Sequence, residues 1–229
     1  MVRITDDILY RVEKPSRYVG GELNEVIKDP KEVDIRFGFC FPDVYEVGMS
    51  HLGSRILYHV LNQRKDTYCE RVYAPWPDME KLMRENNIPL YALETKDPIN
   101  EFNFLAFTLQ YEMSYTNILN MLNMGGIPLR ASERTEKDPL VIAGGPCAYN
   151  PEPLYDIVDI FQLGEGEEGL NDLLDLYQKH KDNFNKEAYL REASHIPSVY
   201  IPSLYDVTYN EDGTIKEFIP KYDDVPKKV

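Results

Sequence analysis

The stretch DIRFGFCFPDVYEVGMSHLGSRILYHVLN, residues 34–62, decides the fold. Ile35, Phe37, Phe39 and Phe41 alternate with the period of a strand. After a polar loop, Ile56, Leu57, Val60 and Leu61 share one helical face. The unit reads strand, loop, helix, and the same grammar recurs outward from it. Tyr68 to Ala74 reads as a short strand, Met79, Leu82 and Met83 mark a helix, and Leu90 to Leu93 reads as another strand. FNFLAFTL, residues 102–109, is a strongly apolar strand followed by a helix over 114–124. In that helix Ile118, Leu119 and Leu122 are expected inward, and Asn117, Asn120 and Asn123 on one polar side. PLVIAGGP from Pro139, a strand at Asp159 to Leu163, and a helix with Leu170, Leu173, Leu174 and Tyr177 complete the series.

Strands alternating with helices imply right-handed crossovers and a parallel sheet covered on both faces. Runs as apolar as FNFLAFTL fit that burial better than a one-sided antiparallel sheet. The expected fold class is therefore α/β, a doubly wound, Rossmann- or flavodoxin-like parallel sheet with helices on both faces. From Val199 the pattern changes: VYIPSLYDVTYNEDGTIKEFIP alternates about the turn Asn210 to Gly213 and reads as a C-terminal β-hairpin. The expected division is an N-terminal appendage over 1–33, the α/β domain over 34–182, and a helix, hairpin and polar linker over 183–229.

The chain has 229 residues with 25 basic and 39 acidic side chains, a formal net charge of −14. Such a surface repels polyanions, so binding to a nucleic-acid backbone is not expected. No apolar run approaches the roughly 18 residues of a membrane span, and MVRITDDILYRVEK lacks the apolar core of a secretory signal. The expected location is the cytoplasm. Cys40, Cys69 and Cys147 are widely spaced with no CxxC, so they read as buried, reduced thiols rather than metal ligands.

In an open parallel sheet, ligands bind beyond the carboxyl ends of the strands, so the loops that follow strands are the candidates. The first, Phe41 to Gly53, contains Pro42, Asp43, Tyr45 and Gly48. It reads either as a helix N-terminus able to receive an amide or phosphate oxygen, or as an ordinary connection with Ser50 or Ser54 as N-cap. His51 and His59 read as surface residues. In the second loop Gln110, Tyr111 and Ser114 gather an amide, a phenol and a hydroxyl after the strongest strand. The third holds Gly144, Gly145 and Pro146, where paired glycines admit a close backbone or ligand approach. The fourth, Gly164-Glu165-Gly166-Glu167, places carboxylates beside glycines at a helix start, which suits the helix dipole and disfavours phosphate. No GxGxxG, GxxxxGK[ST], GxSxG or HExxH occurs, so binding is the stronger expectation than self-sufficient catalysis.

Taken in order, FPDVYEVGMSHLG, FTLQYEMSYTNIL, IAGGPCAYNPEP and LGEGEE resemble the N-terminal cobalamin-binding-type domain of B12-binding radical SAM proteins. RYVGGE, ERVYAPWPDME and LQYEMSYTNILNML narrow the resemblance to an uncharacterised bacterial subfamily, over about residues 10–205. The resemblance implies a corrinoid over the strand ends, held by Pro42, Asp43, Tyr45, Gly48, Gln110, Tyr111, Ser114, Gly144, Gly145, Pro146 and Gly164 to Glu167. It also implies a C-terminal radical SAM domain of the same parent chain as partner, binding a [4Fe–4S] cluster and S-adenosylmethionine. The cluster motif CxxxCxxC is missing here, as in a piece of a longer enzyme. The family's Asp-x-His-x-x-Gly appears as Asp43-Val44-Tyr45-Glu46-Val47-Gly48, with a phenol where cobalt would take an imidazole. Two alternatives stay open: cobalamin held without a histidine beneath cobalt, or a vestigial docking scaffold that no longer binds it.

Overall fold

The computed structural model describes Val2 and residues 4–229; of the appendage 1–33, Met1 and Arg3 lie outside the described residues. After a short helix α1 (Asp6–Leu9) and an irregular strap come β1 (Ile35–Phe41), α2 (Tyr45–Ser50), α3 (Leu52–Asn62) and β2 (Thr67–Tyr73). They are followed by α4 (Pro77–Glu85), β3 (Phe104–Thr108), α5 (Tyr115–Met124), β4 (Leu140–Gly144), β5 (Ile160–Gln162) and α6 (Gly166–His180). The chain closes with α7 (Lys186–Ala193), β6 (Val199–Tyr200) and a ribbon of β7 (Tyr205–Tyr209) and β8 (Ile215–Pro220).

The main sheet runs β2-β1-β3-β4-β5-β6, parallel throughout except for β6. Ile35 pairs with Thr67 on one side of β1, and Phe37 pairs with Phe104 on the other. The order reverses between β1 and β3, so their carboxyl ends diverge there and leave a crevice. Every residue of β3 is buried, as a strand covered on both faces requires. α3 packs beside α6, while α4 is tied to α5 by Arg84, whose guanidinium donates to Asn120 Oδ1 at 2.7 Å and Asn123 Oδ1 at 3.0 Å. The expected doubly wound α/β sheet with a separate hairpin is thus the observed one.

Several local expectations are corrected. Leu90 to Leu93 is not a sheet strand. It folds back on itself through the bridge from Tyr91 to Pro98, turning at Lys96, whose φ is +62°, and its Leu90 and Leu93 amides donate to the Met124 and Arg71 carbonyls at 3.0 and 2.8 Å. Val199 and Tyr200 belong to the main sheet, because Pro202 ends that strand before the hairpin begins. In α5 Met121 is fully buried beside Ile118 and Leu122, whereas Leu119 is only half-buried. Asn117, Asn120 and Asn123 do share a side, but it faces other parts of the chain: Asn117 donates to the Pro42 carbonyl at 2.9 Å and Asn120 to Glu80 at 2.9 Å. Cys40 and Cys69 are buried and Cys147 only partly so.

The segments on either side of the sheet domain are packed against it. Ile8, Val12 and Tyr18 enter the core, and the Lys28 ammonium donates to the carbonyls of Asn62, Arg64 and Thr67 at 2.6–2.9 Å. Beyond the hairpin, Val225 is buried and Asp224 pairs with Arg191 at 2.7 Å.

Candidate functional site

All four candidate loops reach one cleft of about 200 Å³ at the carboxyl ends of β3, β4 and β5, the first only through Gly53. Gln110, Gly144, Gly145 and Gly164 to Glu167 line it, with Phe39, Ser54 and Leu57 of β1 and α3 on the far wall. Gly145 holds φ at +102°, and a β-carbon there would stand 3.0 Å from the Leu109 carbonyl oxygen. Only glycine fits both the conformation and the space. The Leu109 amide in turn donates to the Gly144 carbonyl at 2.7 Å, and the Cys147 amide to the Leu109 carbonyl at 3.0 Å, which fixes the second loop against the third. Gly164 also has positive φ, turning the chain from β5 into α6.

The first loop splits in two. Asp43 faces the second loop: the Tyr111 hydroxyl donates to Asp43 Oδ2 at 3.2 Å, and the carboxylate raises the Tyr111 pKa. Ser114 is buried and does not cap its helix; its hydroxyl donates to the Tyr111 carbonyl at 2.8 Å. Pro42 accepts from Asn117, and Pro146 opens the 3-10 turn after the glycines. Tyr45 and Gly48 are elsewhere. The Tyr45 hydroxyl donates to Glu22 Oε1 at 2.8 Å, its ring meets Tyr73 edge-on, and burial together with Glu22 pushes its pKa up to about 12. A β-carbon at Gly48 would overlap the Tyr73 ring, so this glycine serves packing. The cap of α3 is His51, whose Nδ1 accepts from the Ser54 amide at 3.1 Å, not Ser50 or Ser54.

Sequence reasoning missed Thr108 and Gln162. Thr108 Oγ1 accepts from Gln110 Nε2 at 2.5 Å. Gln162 is buried on the cleft wall; its Nε2 donates to the Glu165 carbonyl at 3.4 Å, and its Oε1 has no partner among the described residues. A β-carbon at Gly169 would overlap this amide, so α6 carries a glycine to make room for it. A glutamine at the end of an otherwise apolar strand, with glycine seven residues on, was the available signal.

Away from the cleft, the outer side of β2 carries a network of buried charge. Arg71 donates to Glu94 Oε1 at 2.6 Å and Glu22 Oε2 at 2.7 Å, and its guanidinium lies 4.9 Å from the Tyr58 ring centre. Burial pushes the Glu94 carboxyl up to about 7 against the pull of Arg71. Burial opposes the Arg71 cation too, but Glu94 outweighs it and its pKa is raised. Arg36, next along, bridges Glu70 and Asp97.

With this geometry established, residues 53–202 match the family described as radical SAM proteins, N-terminal. The chain belongs to that family. It is also 26% identical over 128 residues to an uncharacterized protein of Methanocaldococcus jannaschii, a match covering 56% of this chain and 23% of that relative. The chain thus spans about a quarter of the relative's length. No solved structure matches it.

A corrinoid can be tested against these residues. The cleft admits a ring-sized group, since an apolar cavity of about 150 Å³ already takes benzene, but a macrocycle must remain outside it. Gln162 Oε1 has no partner among the described residues, but it is buried under Gly169 of α6. No histidine or cysteine lines the cleft among the described residues, and the Tyr45 phenol is engaged by Glu22. The cleft therefore has room for an edge or amide arm of such a ligand, and offers cobalt no imidazole or thiolate among the described residues.

Proposed function

We propose that this chain is the N-terminal ligand-holding module of a radical SAM protein, and that a corrinoid would lie over the mouth of its strand-end cleft with only an edge or amide arm entering, held without a histidine from this cleft. One observation carries the reading: a glycine-lined cleft with a buried, half-satisfied amide at the carboxyl ends of β3, β4 and β5, beside the switch point of a flavodoxin-type sheet. Gly144, Gly145, Gly164 and Gly166 would admit an edge of the corrinoid or one of its amide arms against backbone, where Gln110 and Thr108 would hydrogen-bond it. The carboxylates of Glu165 and Glu167 in the lining discourage phosphate. When bound, a corrinoid supplies alkyl-group transfer chemistry. In the parent protein, a following barrel would hold the [4Fe–4S] cluster and S-adenosylmethionine.

The test is direct. The chain is mixed with hydroxocobalamin under reducing conditions and desalted, and the co-eluting corrin absorption is recorded. Retained colour is expected, and Gly145→Val should remove it by filling the cleft. Absence of colour at high protein concentration sinks the proposal and favours the second reading, a docking scaffold without ligand. That reading has its own observation, because Tyr45 and Gly48 are both used in internal packing.

A further inference from the structure

A larger concavity lies on the other side of the first turn of α3. It measures about 890 Å³ and shares Phe39 and Ser54 with the strand-end cleft. Natural ligand sites span roughly 300–1,000 Å³. Its walls are Phe41, Tyr58 and Tyr73 from the sheet and helix, with Leu52 and Ile56 on α3. Leu52 is 66% and Ile56 40% exposed, so large apolar side chains face into a hollow that nothing in the chain fills. The rim is the strap from Glu22 to Val26, pinned at one end by Glu22 on Arg71 and Tyr45 and at the other by the Val26 amide donating to Tyr58 Oη at 2.8 Å.

The hydrogen bonds in the wall point to what would fill it. Tyr73 Oη donates to Met49 Sδ at 3.0 Å, and Arg71 Nη1 donates to the same sulfur at 3.2 Å. A thioether is a weak acceptor, so two strong donors converge on a poor partner. The methionine side chain is flexible enough to swing aside. We propose that this groove is a second binding site, built for a neutral, ring-bearing molecule whose carbonyl or amide oxygen replaces Met49 Sδ on Tyr73 and Arg71. A carboxylate is disfavoured, because Glu22 and Glu94 already lie against Arg71 and would repel a third acidic group. The ring body covers Leu52 and Ile56, and the strap closes along its edge. This inference does not depend on the corrinoid reading, and its test uses neither a corrinoid nor a cleft variant.

The probe is Nile red, a neutral polycyclic dye with a ring carbonyl, titrated into the full chain while its fluorescence is followed. Saturable binding is expected. Leu52→Glu and Ile56→Glu, both at exposed positions, should each weaken it at least about tenfold by placing a charge against the ring. Tyr73→Phe keeps the packing and removes one donor, so about three- to tenfold weaker binding is expected. Met49→Leu removes the competing acceptor and should bind at least as tightly as the parent. Circular dichroism of each variant checks that it is folded. Non-saturable dye uptake, or equal binding by the parent, Ile56→Glu and Tyr73→Phe, overturns the proposal.

Discussion

The outer side of β2 and the carboxyl-end cleft handle buried polarity in opposite ways. Beside β2, Arg71, Glu94, Glu22, Arg36, Glu70 and Asp97 satisfy one another, and the strap and the 90–97 segment cover the edge that would otherwise template another strand. In the cleft, glycines expose backbone and Gln162 keeps an unpaired acceptor. The first arrangement is a lock in which only the Arg71 bond to Met49 Sδ is weak; the second leaves an acceptor without a partner among the described residues. The difference teaches that the carboxylates around β2 are consumed by internal pairing, whereas the glycines and amides of the cleft are what the proposed ligand reading rests on.

The sharpest way to break this contrast is Arg71→Met. It would strand Glu94 without its cation, and breaking a buried pair in this way costs about 3–5 kcal/mol. A denaturant midpoint that hardly moved would show that the lock is decorative. In the cleft the contrast lies between adjacent glycines. Gly145→Ala forces a side chain into positive φ against the Leu109 carbonyl and should lose about 1–3 kcal/mol. Gly144→Ala meets only ordinary contacts and should change stability by less than about 1 kcal/mol. Equal losses at both positions would remove the claim that Gly145 alone is conformationally required.

The smallest effect is on pH dependence. The Glu94 carboxyl has a folded-state pKa of about 7, above its unfolded value near 4.5, so the native state binds the proton more tightly. That contribution is fully present below about pH 4.5 and is lost as pH rises to about 7. Relative to the parent, Glu94→Gln should therefore flatten the fall in stability across that window in urea melts at several pH values. An unchanged profile would mean that another group titrates there.

Much of the fold was legible because burial and period coincide. Ile35 to Phe41 alternates and is buried, and Leu170, Leu173, Leu174 and Tyr177 are buried at the spacing that marked them. The candidate loops did reach one cleft, the first only through Gly53, because parallel strands deliver their carboxyl ends to the same edge. The misses have physical causes. Leu90 to Leu93 is apolar enough for a strand, yet its bridge is to its own segment at Pro98 and it meets β2 through the Leu93 amide on the Arg71 carbonyl, and period alone cannot tell the two apart. Tyr45 and Gly48 lie in a candidate motif but are claimed by Glu22 and Tyr73, which are far away in sequence.

The sequence by itself determined the alternation of strands and helices, the glycine turns after β4 and β5, and the acidic surface, because each rests on local period, conformation or composition. Tertiary structure alone decided which polar residues were consumed and which were left over. Glu22 meets Arg71 across 49 positions, and the Gln162 amide depends on a glycine of the next helix for its space. Such pairings are set by where strands and straps come to lie in space, and no local pattern in the chain encodes that.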